Sequence, residues 1–161
     1  MTAMAERERD ARGKPLNARP RDGLGRPLAR GGTGTPRVPE DLRLPPDAAI
    51  VEAQRFLDAN MPFHAHEVLE GVWKSGPAEE RPLWQGLAQL AVGLTHLLRG
   101  NRIGAGSLIR QGHDRLVGFE SEPPHHLDVV GLLTWSEGLL DDLETGTLPI
   151  APGIPALRAV D

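Results

Sequence analysis

At 161 residues the chain suits one domain with a tail, and without a cysteine it has no disulfide and no thiolate metal site. The net charge of −4 divides into +4 over residues 1–43, with ten Lys/Arg and six Asp/Glu, and −8 over residues 44–161, with eight and sixteen. An acidic body leaves no electrostatic footprint for nucleic acid, and no apolar run approaches the roughly 20 residues of a membrane span.

Residues 1–43 are rich in Arg, Pro and Gly and show almost no aliphatic periodicity. Little apolar surface offsets the entropy of ordering them, so the composition predicts a disordered, basic N-terminal arm. The first twenty residues lack the apolar segment of a secretory signal. With the missing cysteines, this makes a soluble cytoplasmic protein the expectation.

From residue 44 the pattern turns helical. Asp47 is a candidate N-cap for a first helix that buries Ile50, Ala53 and Leu57 and stops at Asn60. Met61-Pro62 starts a second helix that runs to about Lys74. A third, from about Ala78 to Arg99, carries Leu83, Leu87, Leu90, Ala91, Leu94 and Leu98 on a broad apolar face and is expected at the centre. Gly100-Asn101 reads as a stop followed by a new cap. The fourth helix then runs to about Phe119, where Gly104, Gly106 and Gly112 permit close helix approach. Asp128 caps a fifth helix that ends at Gly146. The last fifteen residues hold three prolines, so they suggest an extended segment lying on the bundle through Leu148, Ile150, Ile154 and Leu157. The fold expected is all-α: a single bundle of about five helices over residues 44–146, between an arm (1–43) and an extended C-terminal segment (147–161).

One stretch of the second helix stands out. Between His64 and Trp73 it carries two histidines, two glutamates and a tryptophan. At about 100° per residue, Phe63, His66, Glu67, Glu70 and Trp73 share an arc, and His64, about 160° from His66, is expected at the surface. A second anomaly is on the third helix, where Gln85, Gln89, Val92 and His96 fall on one line. Buried polar groups of this kind either meet partners or bind something.

The two stretches F-H-A-H-E-V-L-E-G-V-W and W-Q-G-L-A-Q-L-A-V-G-L-T-H-L-L-R-G-N-R-I-G-A together resemble DUF309, a family of small helical domains of unknown function. The family pattern is similar to H-E-x-L-E-x-x-W, then Q-G-L-I-Q-x-A-x-x-x-x-H, then G-N-x-x-G-A, and the resemblance covers roughly residues 50–120. It places His66, Glu67, Glu70, Trp73, Gln85, Gln89, His96, Asn101 and Gly104 at the family's characteristic positions. It implies an all-α fold and carries the label of a metal-dependent hydrolase.

Chemically, His66 and Glu70 stand four residues apart in an H-E-x-x-E sequence, so they could hold one ion, with His96 completing the set from the third helix. Glu67 would then be general base toward a metal-bound water. Nitrogen and oxygen ligands of this kind suit Zn, Mn or Fe. Trp73, Gln85, Gln89 and Asn101 would line the pocket or join the polar cluster. The competing reading is a non-catalytic helical domain in which these groups form a buried network across facing second and third helices. Its role would be binding a partner, whether a small molecule, another protein or a second copy. His113 and the pair His125-His126 read as structural or solvated. No phosphate-binding loop with its lysine and no nucleophile motif is present.

The arm's composition makes a prediction. A chain beginning near Leu42 should melt within the few degrees that ~1 kcal/mol produces in a domain of this size. A much larger fall in the thermal midpoint would show the arm to be packed on the bundle.

Overall fold

In the computed structural model the described residues are 44–146 and 153–159. They form five α-helices: α1 (Pro46–Asp58), α2 (Pro62–Ser75), α3 (Arg81–Leu98), α4 (Arg102–Leu116) and α5 (Val129–Thr145). Single 3₁₀ turns stand before α3, after α4 and before α5, and no strand is present among the described residues. The all-helical expectation is met. The arm, and Leu148 and Ile150 of the tail, lie outside the described residues.

The helix ends follow local chemistry. α1 and α3 close with the same pair of bonds. After α1, the Met61 amide donates to Phe56 O (2.8 Å) and the Asn60 amide to Leu57 O (3.0 Å). After α3, Asn101 donates to His96 O (2.9 Å) and Gly100 to Leu97 O (3.0 Å). Both closures need a left-handed residue, supplied by Asn60 (φ 59°) and Gly100 (φ 84°). Asn101 then caps α4 by accepting from the Gly104 amide, and Asp128 caps α5 by accepting from the Gly131 amide. Asp47, expected as the cap of α1, is not one. The helix starts a residue earlier at Pro46, whose missing N–H needs no acceptor, and Asp47 lies in the first turn.

α3 is the centre of the fold. Ten of its eighteen residues are buried, more than one face can supply, so neighbours cover it on several sides. Its most intimate contact is with α4. A Cβ on Gly112 would lie 2.8 Å from the Gly86 carbonyl oxygen, and one on Gly93 would lie 2.7 Å from Ile109 Cδ1. The pairs 86/112 and 93/109 rise on one helix as they fall on the other, so α3 and α4 are antiparallel. Gly112 thus acts as the sequence suggested, and Gly86 and Gly93 are its unforeseen counterparts. Gly104 has another use: a Cβ there would come 2.5 Å from Asn101 Nδ2, so the cap requires its absence.

α2 buries His64, Ala65, Val68, Leu69 and Val72. The arc of Phe63, His66, Glu67, Glu70 and Trp73 forms the half-buried rim beside that face. His64, expected at the surface, is fully buried, with its ring 5.4 Å from that of Phe56 and 6.3 Å from that of Phe63. A strap of residues 153–159 lies on the bundle, with Leu157 buried and Ile154 partly exposed. Gln54 of α1 holds it as a strand neighbour would, accepting from the Leu157 amide (2.8 Å) and donating to Pro155 O (3.1 Å). Trp135 donates its indole N–H to Gly153 O (2.9 Å), and the Asp128 amide donates to Leu157 O (2.8 Å).

The helix contact predicts opposite outcomes for two glycines of α4. Gly112→Ala should destabilise by about 1–3 kcal/mol in denaturant titration, because a backbone carbonyl must move to admit the methyl. Gly106→Ala, whose Cβ would meet only Leu143 at 3.8 Å, should stabilise by up to about 1 kcal/mol through helix propensity.

Candidate functional site

The polar groups singled out in the sequence occupy three separate places. The first is a row along α2. His66 Nε2 lies 3.0 Å from Glu70 Oε2, and Lys74 Nζ lies 3.0 Å from Glu70 Oε1, so one carboxylate spans two successive turns. The other ring nitrogen of His66, Nδ1, faces Phe63 O at 3.2 Å. Both nitrogens therefore meet oxygen, and a metal would have to displace one of these contacts. Glu67, the candidate base, is half-buried on the same helix, and Trp73 packs against the edge of the core.

The second place is the seam between α3 and α4. The glutamine line turns toward α4, where Arg115 donates from Nε to Gln89 Oε1 (2.9 Å) and from Nη1 to Gln85 Oε1 (3.1 Å). Gln89 donates in turn to Gln111 Oε1 (3.0 Å), and Gln111 to Ser107 Oγ (3.2 Å). Gln89 and Gln111 each pass a donor to the next acceptor, while Gln85 accepts from Arg115. The antiparallel run of the two helices sets these residues opposite each other. The expectation that Gln85 and Gln89 bond His66 and Glu70 across α2 and α3 is thereby corrected: among the described residues both glutamines bond to α4.

The third place is the reversal from α3 to α4. His96 Nδ1 accepts from Asn101 Nδ2 (3.1 Å), while Asn101 Oδ1 caps α4. One ring nitrogen of His96 is therefore engaged at a helix turn. Among the described residues, no group of three or more His, Asp and Glu side chains is placed to hold a metal ion. His66, Glu70 and His96 thus do not gather as the metal set the sequence suggested, and the donor set does not fit a three-ligand centre.

Two further constellations were not foreseen. His125 and His126 both adopt left-handed backbone (φ 55° and 59°), which costs of order 1–3 kcal/mol each for a residue with a Cβ. The surroundings hold His125 there. Its Nε2 lies 2.7 Å from Glu80 Oε1, its ring is 5.6 Å from buried Trp84, and its carbonyl accepts two bonds from Arg158. Burial alone would raise the Glu80 pKa, but the bonds from His125 and from the Trp84 indole hold the carboxyl below its ordinary value. His125 is therefore packed rather than solvated, and only His126 is exposed. On the far side, His113 Nε2 meets Glu137 of α5 at 2.9 Å and its Nδ1 meets Asp114 at 3.0 Å. Position along the chain signals neither pair, because each partner lies on another element or beside the histidine on an exposed face.

The all-helical fold agrees with the resemblance carried by the two motifs. Residues 50–108 match the model of DUF309, described as a domain of unknown function. The matched segment runs from α1 into the first half of α4 and takes in the α2 row, the glutamines and the His96–Asn101 reversal. Arg115, which the glutamines hold, lies beyond it. No curated protein and no solved structure is a match. Among the described residues no helix is long and apolar enough to cross a membrane.

His113 sets up a pH prediction. Burial lowers its pKa, but the bonds to Asp114 and Glu137 outweigh this and raise it above the ordinary histidine value of about 6.5. A raised folded pKa contributes stability that is complete below the unfolded value and is lost as pH rises through the folded one. The stability difference between the wild type and His113→Gln should therefore be largest below pH 6.5 and shrink above it. Denaturant unfolding across that range measures it.

Proposed function

We propose that this protein is a non-catalytic helical domain whose polar residues fix helix packing and whose role is to bind a partner. The observation that carries this reading is the commitment of Gln85 and Gln89 to Arg115 and Gln111. It takes both glutamines out of a pocket around the α2 row, and His96, the third ligand of the metal reading, is bonded instead to Asn101 at the α3–α4 reversal. The remaining polar groups have roles that need no ligand: His96 and Asn101 join two helices, and Glu70 joins His66 to Lys74. The alternative, a metal-dependent hydrolase holding Zn, Mn or Fe, rests on the His66–Glu70 pair with Glu67 as base.

Elemental analysis of protein purified without a histidine tag, together with Glu70→Gln and His66→Ala, tests the choice. The expected result is metal well below one equivalent and unchanged in both variants. Glu70→Gln should cost about 1 kcal/mol or less, since the pairs it breaks are partly exposed. One equivalent of metal in the wild type, lowered in either variant, would overturn the reading in favour of the hydrolase.

A further inference from the structure

The outward face of α1 carries Asp47, Val51 and Arg55, four residues apart on one line, so an acid, an aliphatic and a base follow at about 6 Å intervals. All three stand clear of the bundle, with side-chain exposures of 76% for Asp47 and 66% for Arg55, and 62% for Val51 as a residue. Neither charged group is saturated. Arg158 bonds Oδ1 of Asp47 and leaves Oδ2, and Glu52 holds Nε and Nη2 of Arg55 and leaves Nη1. Beside this line, α1 and the strap border a groove of about 570 Å³. Its apolar wall comes from Ile50, Val51, Ile154, Pro155 and Leu157, and Ile154 is 38% exposed.

Turned end for end about Val51, the line reads base, aliphatic, acid. We propose that α1 and the strap form a two-fold symmetric surface that takes a second copy of this chain. In that pairing the α1 helices lie antiparallel, Val51 meets the partner's Val51 at the axis, and the pair Asp47–Arg55 forms twice across it. The aliphatic edge of one copy enters the groove of the other, which covers Val51 and Ile154 together. An isologous contact requires a surface complementary to itself under rotation, and this charge order has that property. A partner of other chemistry has no such requirement on the face. The inference stands apart from how the α2 row and the glutamine seam are read. One short helix and a strap form an interface at the low end of specific sizes, so the dimer is weak and salt-sensitive.

Sedimentation of the full chain over a range of concentrations tests this. The weight-average mass should rise from the monomer value toward twice it, and added salt should lower it again. Arg55→Asp and Asp47→Arg each place like charges across the axis, so each alone should dimerise at least about tenfold more weakly. Mixed in equal amounts they restore both ion pairs, and the mixture should associate about as well as the wild type. Val51→Glu, at a position too exposed to matter for folding, should abolish association alone. Circular dichroism checks that all three variants remain folded. A wild type that stays monomeric at every concentration, or a mixture no tighter than its two components, would overturn the proposal.

Discussion

The close approach of α3 and α4 sets the terms for the rest of the fold. At Gly86 and Gly112 each backbone carbonyl lies where the other helix would carry a Cβ, and at Gly93 the Ile109 side chain fills the gap. Helices packed through larger side chains sit some 8–10 Å apart; without side chains at these positions the axes can come nearer. That proximity lets Gln85 and Gln89 reach Arg115 and Gln111 directly. The seam is thus held by shape at its core and by a ladder of amides and one guanidinium at its rim. A methyl at Gly112 would act on both, since spreading the helices also lengthens the ladder. These bonds lie at the exposed rim of the seam, where desolvation costs little, so the ladder adds direction to a contact whose burial comes from the core beneath it.

How much of this was legible depended on the range of the interaction. The turns were readable because their chemistry is local. Asn60, Gly100, Asn101, Asp128 and Gly146 each announce a backbone state or a cap through their own side chain or its absence, and all five boundaries they mark were placed within a few residues. Asp47 failed because proline competes for the same job, and a chain that begins a helix with Pro46 has no need of a capping oxygen. The orientation of α2 was less legible. Its wheel offered two mixed faces, one with His64 among alanine and valine and one with His66 among aromatic rings. An imidazole is apolar enough in its ring to pack between Phe56 and Phe63, so histidine alone did not mark the wet side.

The candidate site shows the same limit more sharply. Periodicity correctly put Gln85, Gln89 and His96 on one line of α3, but a helix buried on several sides has no single facing neighbour. Only glycine placement on both α3 and α4 distinguishes which helix comes close enough to bond the line, and Gly86 and Gly93 carried that information in the sequence. Arg115 was the remaining clue: a cation on the facing helix for carboxamides that would otherwise lack a charged donor. The H-E-x-x-E spacing was sound as geometry, since His66 and Glu70 do meet. A spacing on one helix says nothing about whether a third ligand arrives from another.

The strap extends the argument from helix pairs to the whole surface. Gln54, Trp135 and Asp128 bond its backbone, Leu157 anchors it in the core, and Arg158 reaches Asp47 and the carbonyl of His125. Gln54 bonds it with both ends of its amide, as a strand neighbour would, so α1 gains an extended segment without any sheet. Trp84 and Glu80 brace His125 from the start of α3, which ties the strap's anchor to the central helix. The left-handed pair at His125 and His126 is the strained element in this arrangement, and the contacts of His125 are what offset it. α1 is consequently locked on its inner face by the core and along one side by the strap. Its outer line of Asp47, Val51 and Arg55 stays largely exposed, touched by the strap only where Arg158 bonds Asp47, and a charge-ordered face of that kind is suited to meeting another surface.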